Sequence, residues 1–191
     1  MDEKLFAALL SAGLAALGWA ASSAWDRYRE RERVAREARS KYLERQIEEL
    51  YGPLFNITMQ IVTTNHVRFG VVKSVPAEKR GEIDQMFYRE HFRPLHDSAR
   101  ELLKAKLHLV ESSALPRSFY DYLRHSIQER VQQDLWQQHQ IDTNSVEGVR
   151  FPDSFTEDVQ RSLSNLLAEY DEVLVGLHRS RGAHSRKSGV Q

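Results

Sequence analysis

The chain of 191 residues contains no cysteine. That absence excludes a disulfide framework, a thiolate metal site and a cysteine nucleophile, so burial alone must hold the fold. Proline is sparse, at five residues, and glycine numbers nine, which leaves long stretches with nothing to interrupt a helix. With 27 basic and 27 acidic residues there is no excess of either sign, so neither a polycation coating nucleic acid nor an acidic tail protein fits the whole chain. The patterns GxxxxGK[ST], GxGxxG, HExxH and GxSxG are missing, and with them the starting points for nucleotide hydrolysis, dinucleotide chemistry, zinc proteolysis and serine hydrolysis. A local lack of charge is the most informative. Residues 5–25, LFAALLSAGLAALGWAASSAW, hold none, so all 54 charged residues lie in the other 170.

Twenty-one residues at 1.5 Å rise make about 31 Å of helix, the thickness of a hydrocarbon core. Lys4 alone is basic before this window, whereas residues 26–41 carry Arg27, Arg29, Arg31, Arg33, Arg36, Arg39 and Lys41. The flank richer in Lys and Arg stays in the cytoplasm, so a single pass is expected with the amino terminus outside and the carboxyl-terminal domain cytoplasmic. Trp25 and Tyr28, with Arg27, Arg29, Arg31 and Arg33, would then lie at the membrane interface against lipid headgroups. A cleaved signal peptide is the competing reading, from the small residues Ser22 and Ala24. The length of the apolar run and the bases after it argue against cleavage. Ala8, Ala12, Ala16, Ala20 and Ala24 recur every four residues, a narrow stripe that suits close helix approach in lipid and hence a homo-oligomer.

Between Asp26 and Leu50 there is no glycine or proline, and the run is rich in Arg, Glu and Ala, so it is expected as a charged helical stalk continuing from the span. Glu32 with Arg36 and Glu37 with Lys41 have the favourable acid-before-base order. Tyr42 or Leu43, Ile47, Leu50 and Leu54 are spaced as in a helix docking into a bundle, over less than the three or four heptads of a coiled coil. Gly52 is expected as a left-handed cap and Pro53 as the first residue of the next helix.

Helical stripes follow over residues 54–75, 95–112 and 117–141, with Pro94 expected as a break. One clear loop spans residues 142–153, and a last helix starts at Asp153 or Ser154. In the third of these, Phe119, Tyr122, Leu123, Ser126, Ile127, Arg130, Val131 and Leu135 hold a single helical spacing to about Ile141. No convincing alternation of period two appears. The expected fold is therefore all-α: a transmembrane anchor at 1–25, a stalk at 26–50, an antiparallel cytosolic helical bundle at 51–177 and a disordered basic tail at 178–191.

The densest polar cluster is Arg89, Glu90, His91 and His96 beside Asp97. Two histidines and two acids suit acid–base or metal chemistry, but His91 and His96 are five apart across a proline rather than the i, i+4 pair that puts two ligands on one helix face. No metal or other cofactor is expected on that ground. Arg89 to His96, and Arg179 to His184, loosely resemble the Arg-to-His spacing of all-helical HEPN ribonucleases, which implies a membrane-tethered effector enzyme as the alternative reading. The remaining histidines, among them His125, look dispersed over separate helices. Trp136 stands amid glutamines and could anchor a partner or pack at the edge of the core. Four basic charges in the tail without interleaved aromatics give no specific nucleic-acid site.

The stretch Ile47-Glu48-Glu49-Leu50-Tyr51-Gly52-Pro53-Leu54, after an uncharged span and charged stalk, resembles the juxtamembrane element of bacterial single-pass proteins with a helical cytosolic domain and no defined reaction. The resemblance implies a bacterial inner-membrane setting. The favoured function is then a membrane-anchored helical module, rather than an enzyme, that presents its bundle to a cytosolic protein partner for interaction, sensing or assembly. Charge sharpens this. The stalk over 26–41 is +3, the tail +4 and Asp2, Glu3 and Lys4 together −1, so in a neutral chain residues 42–177 must carry −6.

Overall fold

Leu43, Leu50 and Leu54 recur on one side of the chain, and the structure buries all three completely. The computed structural model describes residues 3–110, 115–141 and 150–185, with side-chain environments for residues 11–178 of these. Among the described residues the secondary structure is entirely helical, as expected. Six α-helices run α1 Glu3–Gln46, α2 Gly52–Ser74, α3 Arg80–Phe87, α4 Arg93–Lys106, α5 Arg117–His139 and α6 Asp153–Ser185. The chain divides into two units, one of Met1–Tyr42 with Tyr170–Gln191 and one of Leu43–Glu169.

In the first unit, Arg36 Nη1 donates to Gly176 O at 3.5 Å, tying α6 to the stalk. Arg36 also pairs with Glu32, as its spacing foretells, and Arg33 with Glu30 at 2.6 Å. Helix α6 reaches Ser185, eight residues into the segment expected as a disordered tail, while residues 186–191 lie outside the described residues. Among the described residues no helix is long and apolar enough to cross a membrane. Of the charge-free window, residues 5–10 fall outside those whose side chains are described. The described residues thus leave the expected span without support.

In the second unit, Gly52 and Pro53 do not separate neighbouring helices through a left-handed cap. Gly52 sits at φ −63°, ordinary right-handed geometry, directly after a five-residue π-turn, Ile47–Tyr51. Its N–H donates to Ile47 O, one residue further back than in an α-helix. A second π-turn, Tyr88–Phe92, stands in the same relation to Arg93-Pro94, with Arg93 N–H donating to Tyr88 O. Proline in an α-helix collides with the carbonyl four residues back, and the wider turn relieves that collision. So Pro94 continues a helical run where a break was expected.

The core gathers where the π-turn after α1, α2, α4 and α5 meet. Leu50, Tyr51, Leu54, Ile61, Ala99, Leu103, Phe119 and Tyr122 are buried there, with Phe155 and Val159 of α6. Gln46 is also fully buried, and its Nε2 donates to Leu109 O at 2.7 Å. Tyr122 stacks on Phe155 with ring centroids 4.1 Å apart, and Phe119 meets Phe155 edge-on at 5.1 Å. The single stripe expected for α5 separates into two. Phe119, Tyr122 and Ser126 are buried, whereas Ile127 and Val131 are 52% and 49% exposed, because α5 turns its aromatic and histidine side inward.

Candidate functional site

The buried side of α5 carries more than apolar residues. His125 and Glu129 are four apart, one above the other on a helix face. Opposite them α4 supplies His96, two residues after Pro94 and therefore in a register set by the second π-turn. His96 and His125 are only 4% and 5% exposed, and their rings meet edge-on at 5.5 Å. His96 Nε2 lies 3.4 Å from Glu129 Oε2, and His125 Nε2 lies 3.7 Å from the same oxygen. One nitrogen or oxygen from each of the three residues falls within 4.8 Å of the others.

Each ring is held from behind. His96 Nδ1 shares a 3.0 Å hydrogen bond with Tyr122 Oη, which directs the other ring nitrogen at Glu129. Phe151 stands edge-on to His125 at 5.6 Å and tilted against His96 at 6.5 Å, so an apolar wall closes one side. Around the cluster α4 and α5 are joined by ion pairs: Arg93 with Asp134 at 3.3 Å and Arg130 with Asp97 at 3.4 Å, Asp97 also pairing with Arg100.

Electrostatics follow from burial. Loss of water pushes the His96 imidazole down to about 3, reinforced by His125 and Arg100, so the ring is neutral near pH 7. Burial raises the Glu129 carboxyl above its ordinary range, against the opposing pull of His125 and Arg68. Some of the Glu129 side chain reaches solvent, but Oε2 is buried and accepts no hydrogen bond. It is the one carboxylate oxygen among the described buried side-chain atoms in that condition. A neutral imidazole, a second imidazole and an unsatisfied carboxylate oxygen can hold a cation or pass a proton.

The four residues singled out near position 90 do not come together. Arg89 and Glu90 are exposed and pair with each other at 2.7 Å, and exposed His91 leans on Phe87 at 5.5 Å. Only His96 turns inward. Arg179 and His184 lie among residues whose side chains are not described. Ala12, Ala16, Ala20 and Ala24 are exposed on α1, and Ala8 falls outside the described side chains. Trp25 stacks on Tyr28 at 6.0 Å with Arg29 over its ring at 5.2 Å, while Arg27, Arg31 and Arg33 are exposed. Trp136 is exposed near the end of α5. Sequence reasoning missed His125 and Glu129, although their i, i+4 spacing was the signal it sought elsewhere.

A shallow groove of about 560 Å³ runs along the outward side of α5 between Tyr120 and Leu135, its wall formed largely by Leu123, Ile127 and Val131. No protein-family model, curated protein or solved structure matches the chain.

Proposed function

We propose that this chain is a single-pass, membrane-anchored helical protein that holds residues 43–169 on the cytoplasmic side and presents the outward face of α5 to a protein partner. The observation that carries the reading is the charge-free segment. Among its described side chains Leu14 and Trp19 are 63% and 72% exposed, and Leu17 and Trp25 are more than half exposed. Apolar bulk of this kind on a helix, followed at once by seven bases, suits lipid on one side and the cytoplasmic interface on the other. The partner half of the reading is supported by Tyr120, Leu123, Ile127 and Val131, spaced 3, 4 and 4 along α5 beside an open groove. Among the described residues Arg89 pairs with Glu90 at the surface rather than converging with His96, which disfavours that pair as the centre of the ribonuclease alternative.

Fractionation of cells expressing the full chain tests the anchor. The protein should sediment with membranes and resist alkaline carbonate, and deletion of residues 2–25 should release it to the supernatant. Extraction of the full chain by carbonate would overturn the reading.

A further inference from the structure

We propose that His96, His125 and Glu129 bind one divalent transition-metal ion of the zinc class, with His96 Nε2, His125 Nε2 and Glu129 Oε2 as the ligands. Three features of the cluster point there together.

The first is the spacing of its atoms. Protein hydrogen bonds between nitrogen and oxygen measure about 2.7–3.2 Å. The separations of 3.4 and 3.7 Å around Glu129 Oε2 exceed that range. They lie close to the edge of a coordination tetrahedron, about 3.3 Å when each metal bond is about 2.0–2.1 Å. The third separation, between the two imidazole nitrogens, is within 4.8 Å, so rotation of the rings has to draw the three atoms onto one ion.

The second is the unsatisfied oxygen. A buried acceptor without a donor costs about 1–3 kcal/mol, more when it is charged, and native proteins seldom leave one. A cation between Glu129 Oε2 and the two imidazoles supplies what that oxygen lacks. It also offsets the penalty of burying a carboxylate oxygen beside two imidazole rings.

The third is support from behind. Tyr122 Oη occupies the far nitrogen of His96, which orients that ring and leaves Nε2 to coordinate, the arrangement found behind most metal-bound histidines. The donor set identifies the ion class. Two imidazoles and one carboxylate suit zinc, cobalt, nickel or iron(II), whereas magnesium and calcium take all-oxygen sites. Three protein ligands also leave a coordination position for water or a small ligand.

Tag-free full-length protein in detergent, stripped with chelator and dialysed against Zn²⁺, tests the assignment by elemental analysis, with Co²⁺ as an optical probe. One zinc per chain is expected, together with a Co²⁺ d–d spectrum of a four- or five-coordinate nitrogen–oxygen site. Glu129→Gln, which keeps the size of the side chain, should weaken zinc binding at least ~10-fold, and His125→Gln should abolish the cobalt spectrum. Exposed His91→Asn should change neither. Zinc should also raise the unfolding temperature of the unaltered protein, reversibly with chelator, a readout that does not depend on any variant folding. Substoichiometric zinc, an unchanged affinity in Glu129→Gln, or no thermal shift would each overturn the proposal.

Discussion

Gly52 has right-handed helical angles, so its missing Cβ matters for space rather than for backbone freedom. A Cβ built there would stand 2.7 Å from Ile47 O, the carbonyl that accepts the Gly52 N–H in the π-turn. Gly52→Ala must therefore open the turn, and a loss of about 1–3 kcal/mol is expected in urea unfolding. Gly70 is the matched opposite. It is exposed within α2 with nothing within 4 Å of a built Cβ, so Gly70→Ala should stabilise by about 0.5–1 kcal/mol. If both variants lose stability alike, the close approach at Gly52 is not what distinguishes them. Single residues also show where sequence reading stopped. Gly52 and Pro53 were recognisable as special, but the same letters serve a left-handed cap and a crowded π-turn, and only the backbone path decides. His125 and Glu129 carry an i, i+4 spacing in the sequence that went unread. Their third member, His96, sits 29 positions before His125, and no local period links residues so far apart.

At the scale of elements, the helices α2, α4, α5 and the start of α6 were legible, because heptad-like apolar spacing and proline punctuation report local conformation directly. The division of α5 into a buried and an outward face was not. Leu, Ile and Val on the outward side look like core until the position of α4 is known. The first π-turn is braced to α4 by one ion pair, Lys106 Nζ to Glu49 Oε2 at 2.7 Å, with Arg45 Nε on the other carboxylate oxygen at 3.0 Å. The hydrogen bond from Lys106, then that from Arg45, holds Glu49 down to about 2 from an ordinary 4.5. The folded carboxyl thus keeps its charge at a pH where the unfolded chain takes up a proton. The stabilising contribution of this brace is present above about pH 4.5 and is lost as pH falls from there toward 2. In Lys106→Gln the Glu49 carboxyl should titrate closer to 4.5 in a carboxyl NMR titration, and stability should become less dependent on pH in that window. A Glu49 midpoint that stays near 2 would show that Arg45 alone sets it.

For the whole molecule, the distribution of charge decides more than its sum. Residues 42–177 carry −6 while the stalk and the carboxyl-terminal segment are basic, so an average of zero conceals an acidic helical unit between basic flanks. If the charge-free segment spans the bilayer, its orientation is set by one base before it against seven after it. The acids interleaved among those seven should matter little, since topology follows Lys and Arg rather than net charge. Replacing Arg27, Arg29, Arg31 and Arg33 with Gln leaves three bases on the carboxyl side, and adding two lysines next to Lys4 makes three on the amino side. That combined variant removes the asymmetry and should distribute between two orientations. A carboxyl-terminal fluorescent protein, which matures in the cytoplasm, and a carboxyl-terminal alkaline phosphatase, which is active outside, read the two populations separately. The unaltered chain should give fluorescence without phosphatase activity, and the variant should give both. Replacing the acids Asp26, Glu30, Glu32 and Glu37 with Gln should leave the fluorescent orientation unchanged. Phosphatase activity in the unaltered chain would reverse the assignment and place the His96, His125 and Glu129 cluster outside the cytoplasm.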